Sequence, residues 1–168
     1  MIESLDLLPA QSKVFIDTNI FLYDILGYTK FRTTCMAFLQ KMEAHTYSAA
    51  TSTQVLNEVI HKLILAEITK TYRLRNESDA MKLIKERPET ISSLRQVWKS
   101  YAEIKEYPLV IYSIDEATLD MAADLSNRFG LLISDATHAA VMKAQGITNI
   151  ATNDSDFERV NGIDIYKP

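Results

Sequence analysis

The stretch Lys13-Val14-Phe15-Ile16-Asp17-Thr18-Asn19-Ile20-Phe21-Leu22-Tyr23 passes from apolar to charged in a single step, and that step constrains the fold more than any other feature of the chain. Val14, Phe15 and Ile16 form an unbroken β-favouring run, the pattern of a short strand buried on both faces, as in a parallel sheet. Asp17 stands at the carboxyl end of that strand. In an open α/β sheet ligands bind beyond this end, so a carboxylate there, followed by Thr18, Asn19 and a new apolar helix, falls in the crevice. The same segment has an ordinary reading too, in which Asp17 or Asn19 only caps the next helix.

At 168 residues the chain is expected to form a single domain (1–168) that buries roughly 70% of its unfolded surface without disulfides or structural metal. Cys35 is the only cysteine, which rules out an intrachain disulfide and Cys-rich zinc sites and leaves a core thiol on a helix. Met1 to Gln11 carries no basic residue and no apolar stretch of signal length, and no apolar run elsewhere approaches a membrane span. A reducing, cytoplasmic setting is therefore expected. The net charge of −4 is unevenly spread. Residues 61–106 hold ten Lys or Arg against seven acids, a balance of +3, and the remainder holds eight against fifteen, a balance of −7. Such segregation can set a basic gripping surface beside an acidic pocket, although solvated helix faces account for it equally simply.

Further along, Ile20–Leu26 reads as a short helix ended by Gly27, and Phe31–Ala44 as a second with Phe31, Cys35, Phe38, Leu39 and Met42 on one stripe. Tyr47–Ala50 is a weak strand. Ser52 caps a strong helix whose buried side carries Val55, Leu56, Val59, Ile60 and Leu63, with Glu58 off that stripe. From Lys70 to Tyr107 the pattern is helical and charged, broken near Pro88 and stopped by Pro108. Leu109–Tyr112 gives a strand, and Asp115 opens a helix with Leu119, Ala122, Ala123 and Leu125 inward, closed at Gly130. Leu131-Leu132-Ile133 lead, like an apolar strand end, into Ser134-Asp135-Ala136 and a helix of small residues. Ile147–Ala151 is a strand followed by Thr152-Asn153-Asp154-Ser155-Asp156-Phe157, and Ile163–Tyr166 a final edge strand.

Taken singly, each acid has a bland account: Asp135 complements a helix dipole, Asp154 and Asp156 form turns, and Glu58 is a solvated helix acid. Together they share a placement. Asp17, Glu58, Asp135 and Asp154 stand at successive separations of 41, 77 and 19 residues; three lie just after or near an apolar strand end and Glu58 on a helix that follows one, so a doubly wound sheet could gather them at its carboxyl edge. Four carboxylates brought together repel unless cations neutralise them, and an all-oxygen ligand set favours Mg²⁺ or Mn²⁺ over zinc. His45, His61 and His138 have no nucleophilic partner in the sequence and read as surface or satisfied helix residues, although the helix phase of His138, three residues after Asp135, also permits a place at the pocket rim.

These motifs carry a resemblance. Ile16-Asp17-Thr18-Asn19-Ile20, Glu58, Ser134-Asp135-Ala136 and Thr152-Asn153-Asp154-Ser155-Asp156-Phe157, spanning residues 13–166, resemble the PIN-domain family and, within it, the VapC-type toxin ribonucleases. The resemblance implies an α/β fold of three layers, α/β/α, around a central, mainly parallel sheet. It implies a cytoplasmic, metal-dependent endoribonuclease in which Asp17, Glu58, Asp135 and Asp154 are catalytic and hold one or two Mg²⁺ or Mn²⁺ ions. Asp156 matches an auxiliary ligand, and Thr18, Asn19 and Thr152 match polar positions that orient the carboxylates. It further implies an RNA substrate, a homodimer formed through helices of the first half, no membrane, and a small antitoxin protein whose Arg or Lys reaches the acids. The 77 residues from Glu58 to Asp135 exceed the spacing of compact toxins, and the excess falls in a helical insertion or arm at about 70–107. Two alternatives stand beside this reading: a PIN-like RNA-processing nuclease without an antitoxin, and a non-catalytic PIN-like binding protein. A phosphotransfer receiver domain lacks its expected aspartate pair and late lysine here.

Overall fold

The computed structural model describes residues 1–168. In chain order the elements are β1 (Ile2–Ser4), β2 (Lys13–Ile16), α1 (Thr18–Ile25), α2 (Arg32–Glu43), β3 (Ser48–Ser52), α3 (Thr53–Thr71), α4 (Glu77–Glu86), α5 (Glu89–Ser92), α6 (Gln96–Glu106), β4 (Leu109–Tyr112), α7 (Glu116–Phe129), α8 (Ile133–Ala144), β5 (Asn149–Ala151) and β6 (Asp164–Lys167). They divide into two compact units, Met1–Leu56 with Pro108–Pro168, and Asn57–Tyr107.

The first unit is a six-stranded sheet in the order β1-β6-β5-β2-β3-β4, parallel throughout and flanked by helices. The expected α/β layering with a parallel sheet is therefore the observed one. Val14, Phe15 and Ile16 of β2 are wholly buried, which their uninterrupted apolar run requires of a central strand; burial of each such side chain is worth roughly 1.5–3 kcal/mol. Phe15 lies opposite Ala50 on one side and Ile150 on the other. From β2 the chain runs outward to β3 and β4, whereas from β5, on the other side of β2, it runs to β6. The two directions part between β2 and β5, and at that switch the carboxyl edge of an open sheet has its crevice.

Four local expectations need correction. The segment Ile163–Tyr166 is not an edge strand: β6 (Asp164–Lys167) is covered by β1, whose Ile2, Glu3 and Ser4 pair with Ile165, Tyr166 and Lys167. A three-residue strand with exposed Ile2 and Ser4 has too little side-chain pattern to announce itself. Leu131–Ile133 is no strand either; Ile133 already belongs to α8, so Asp135 enters the crevice from a helix alone. On α7, Leu119 and Ala123 are exposed, because the stripe that packs inward runs through Met121, Ala122, Leu125 and Phe129. On α3, Ile60 is only half-buried, at the margin of the stripe formed by Val55, Leu56, Val59 and Leu63.

The second unit is all helical. Asn76 caps α4, its Oδ1 accepting from the Asp79 N–H at 3.0 Å, and Arg87-Pro88 separates α4 from α5. Glu67 on α3 organises the packing. Its carboxylate accepts the backbone N–H groups of Arg95, Gln96 and Val97 at 3.0, 3.2 and 2.9 Å, taking up three of the donors that the start of α6 leaves unsatisfied. Burial pushes the Glu67 carboxyl up, but these three bonds together outweigh it and hold the group below the usual carboxylate range. Ile68, Ala80, Leu94, Val97 and Ile104 are buried. No helix of the chain is long and apolar enough to cross a membrane.

Candidate active site

Asp17 combines the two roles that its sequence position allowed. It is the N-cap of α1, with extended backbone (φ −83°, ψ 160°) and Oδ1 accepting from the Thr18 N–H at 2.6 Å. Its Oδ2 accepts from the Thr152 hydroxyl at 2.6 Å and from the Asn19 side-chain amide. Asp17 is 6% exposed, and a buried carboxylate is sustained only by such bonds. Thr152, just past β5 and fully buried, is the hub: its Oγ1 also accepts from Asn19 Nδ2 at 3.0 Å and from the Asp154 N–H at 2.9 Å. One hydroxyl thus fixes both the Asp17 carboxylate and the backbone that carries Asp154. Thr18 contributes its backbone N–H.

Asp135, in the first turn of α8, is half-buried and has none of these tethers. Burial pushes its carboxyl up, the neighbouring Asp154 pushes it further, and Asp17 and Asp156 add to this, so that its pKa reaches about 6 even though His138 opposes the shift. The structure therefore brings Asp17, Asp135 and Asp154 into one electrostatic neighbourhood, with Asp156 at its margin. Asp154 Oδ1 accepts from the Asp156 N–H at 2.8 Å, closing a turn. The Asp156 carboxylate pairs with Arg159, whose other amino group donates to the Gly130 carbonyl at 2.6 Å. Arg159, held by Asp156, thereby ties the segment after β5 to the loop before α8. Glu58 lies half-buried on α3, in the second unit.

Three further residues belong to this network with little in the sequence to mark them. His138 is buried, 1% exposed, with Nε2 3.8 Å from Asp17 Oδ1 and its ring beside Phe15 and Phe157; its position three residues after Asp135 was the available signal. Asn153 donates its backbone N–H to Asn19 Oδ1 and its side-chain amide to the Tyr23 hydroxyl, both at 3.0 Å. Tyr23 carried no polar signal within its apolar run.

In the conformation described, no three acidic, histidine or cysteine side chains converge as a finished metal cage. The donor set still fits a hard divalent cation: it is built from carboxylate oxygens, and the raised pKa of Asp135 reflects burial together with repulsion from Asp154, both of which a cation would offset.

The PIN domain model matches residues 14–163, so the chain belongs to the PIN domain family. It is 26% identical over 161 residues to "Ribonuclease VapC6" of Methanocaldococcus jannaschii, covering 93% of this chain and 97% of that protein. Among solved structures it is similar to Mycobacterium tuberculosis VapC20, described as a sarcin-ricin loop cleaving toxin, with a TM-score of 0.61 at 17% identity over 89% of this chain and 96% of that one. A toxin-antitoxin complex from Klebsiella pneumoniae gives a TM-score of 0.55 at 18% identity over 89% and 94%.

Proposed function

We propose that the chain is a metal-dependent endoribonuclease, and that it acts as the toxin of a toxin-antitoxin pair. The observation that carries this reading is the meeting of Asp135 with Asp154, Asp17 and Asp156 at the carboxyl edge of β2 and β5, where burial first and then these neighbouring charges push the Asp135 carboxyl up to about 6. The names of the similar proteins, a ribonuclease, a sarcin-ricin loop cleaving toxin and a toxin-antitoxin complex, support the same activity.

Asp17, Asp135 and Asp154, with Glu58 as the fourth acid, would hold one or two Mg²⁺ or Mn²⁺ ions against the scissile phosphate. Bound there, such a cation supplies the Lewis acidity that makes water nucleophilic near neutral pH and the charge that stabilises the leaving oxygen. Asp17 contributes a carboxylate whose orientation is set in advance by Thr152, Asn19 and the start of α1. Asp154 shares that orientation through Thr152. Asp135 supplies negative charge in excess of what the protein itself neutralises. Asp156, paired with Arg159, acts on the site chiefly through its charge and through the turn it closes. The basic residues of the second unit, among them Arg73, Arg75 and Lys82, would grip RNA phosphates, which fixes position rather than sequence. A small antitoxin with an Arg or Lys able to reach the acids, and a homodimer, complete the proposal.

The test is cleavage of single-stranded RNA by repurified protein with Mg²⁺ or Mn²⁺. Cleavage should disappear with EDTA and with alanine at any of the four acids. Cleavage that survives EDTA, or all four substitutions, contradicts the reading. For the basic arm, Arg73, Arg75 and Lys82 reversed together to Glu should flatten the salt dependence of RNA binding by about 0.7 for each phosphate that is no longer gripped; an unchanged slope returns these residues to the role of a solvated face.

A further inference from the structure

An aromatic cluster adjoins the acids, and helix termination explains only part of it. Helix α1 ends in a Schellman motif: the Gly27 N–H donates to the Asp24 carbonyl at 3.2 Å and the Tyr28 N–H to the Tyr23 carbonyl at 3.0 Å, with Gly27 in the left-handed region at φ +70°. That closure folds Tyr28 back onto Tyr23, edge to face at 5.4 Å, and Tyr23 stacks on Phe31 at 4.7 Å. A Schellman closure needs only an apolar contact between these positions, which a leucine would supply. Here the outer partner is a tyrosine left 52% exposed, Lys30 Nζ lies 4.7 Å from the Phe31 ring centre, and the Tyr23 hydroxyl accepts from Asn153 Nδ2 at 3.0 Å. Asn153 precedes Asp154 in the chain and is bonded through Asn19 to Asp17. Tyr23 is therefore tied to Asp17 by hydrogen bonds and to Asp154 through the chain, and an exposed tyrosine and an ammonium group belong to the same cluster.

We propose that Tyr28, backed by Tyr23 and Phe31, is a base-stacking platform for single-stranded RNA, with Lys30 on a neighbouring phosphate. The inference rests on the ribonuclease reading and names how the same site takes its substrate. Unpaired bases present π-faces that stack on aromatic side chains whatever their sequence, and duplexes do not. The platform thus selects single strands, loops and bulges over paired RNA, and it places a nucleotide next to the acids through base and phosphate together.

The experiment measures binding, in EDTA so that nothing is cleaved, of a fluorescent 12-nucleotide oligoadenylate and of an abasic ribose-phosphate strand of equal length. Tyr28→Leu keeps apolar cover over Tyr23 but removes the stacking face, and it should weaken oligoadenylate binding roughly tenfold while leaving the abasic strand unaffected; Tyr28→Trp should restore binding. Equal affinity of wild type and Tyr28→Leu for oligoadenylate overturns the platform, as do an equal loss on both strands and an absence of wild-type binding. A change in oligomeric state on light scattering with unchanged RNA affinity also overturns it and assigns the face to a second copy of the chain. Wild-type cleavage, measured separately with Mn²⁺, distinguishes the two claims: Tyr28-dependent binding without cleavage keeps the platform and removes the ribonuclease, and cleavage with Tyr28-independent binding does the reverse.

Discussion

Asp17 and Asp135 are two acids of one crevice held in opposite ways. Asp17 is bonded to Thr18, Asn19 and Thr152, so the protein itself supports its negative charge. Asp135 projects from the first turn of α8 among three other carboxylates, and its pKa is pushed up to about 6. The contrast separates geometry from charge: in the proposed metal site the sheet end would supply an oriented oxygen ligand, and the helix a buried carboxylate whose repulsion a cation would relieve. Substitutions at the two positions should therefore fail differently.

The largest effect is expected at Asp17. Asp17→Asn keeps the shape but removes charge and leaves the Thr152 hydroxyl and Asn19 amide facing a neutral group. RNA cleavage should fall by more than about 100-fold, since removing even an orienting neighbour of a metal ligand costs 10- to 100-fold, while circular dichroism shows the fold retained. Near-normal turnover would mean that Asp17 only caps α1. Thr152→Val sharpens the comparison from the other side, because it removes the one hydroxyl shared by Asp17 and Asp154 without changing side-chain volume much. Activity should drop about 10- to 100-fold and stability by about 1–3 kcal/mol, the cost of leaving buried polar partners unmet. Denaturant midpoints and cleavage rates measured together would show whether both losses occur.

At Asp135 the stability change should have the opposite sign. Its folded pKa, about 6, lies above the ordinary carboxylate value of 3.8, so between those values the folded state binds more protons than the unfolded one. Metal-free stability should therefore fall as pH rises from 3.8 to 6 and stay low above it. Asp135→Asn removes that penalty. After allowance for solvent screening of a half-buried group, its melting temperature without metal should exceed wild type by about 2–4 °C near pH 7, with the gain shrinking towards pH 4. A lower melting temperature than wild type would make Asp135 a helix-start residue and nothing more.

The smallest effect concerns the second unit, where a carboxylate is satisfied in the manner of Asp17 with no metal to hold. Glu67→Gln should cost about 1 kcal/mol through the weakened start of α6. Because the folded pKa of Glu67 lies below its ordinary value, that contribution is present above about pH 4.5 and is lost as pH falls through the folded pKa. Cleavage should not change. Equal stability of the variant and wild type at pH 7 would show that Glu67 does not anchor α6.

What the sequence made legible follows the same division. Strand-to-acid steps are local, so β2 with Asp17 and β5 with Asp154 could be read from a dozen residues each. Asp135 is less legible, since the apolar run before it looks like a strand end but belongs to the loop and start of α8. His138, Asn153 and Tyr23 were not legible as a group, because their partners lie more than a hundred residues away and only the parallel pairing of β2 with β5 unites them. β1 escaped notice because backbone pairing with β6, rather than any side-chain pattern, defines it. Glu67 reads as one more charged residue on a charged helix until α6 is folded against it.

The most direct test of the central claim, that these acids form a divalent-cation site, is equilibrium Mn²⁺ binding by calorimetry at pH 7.5 to wild type and to Asp135→Asn, each checked for its metal-free melting temperature. Wild type should bind Mn²⁺, gaining about 2.7 kcal/mol of stability at one hundred times the dissociation constant, and the variant, although more stable without metal, should bind at least about tenfold more weakly. Mn²⁺ binding of equal strength in the two proteins, or none in wild type, would contradict that claim.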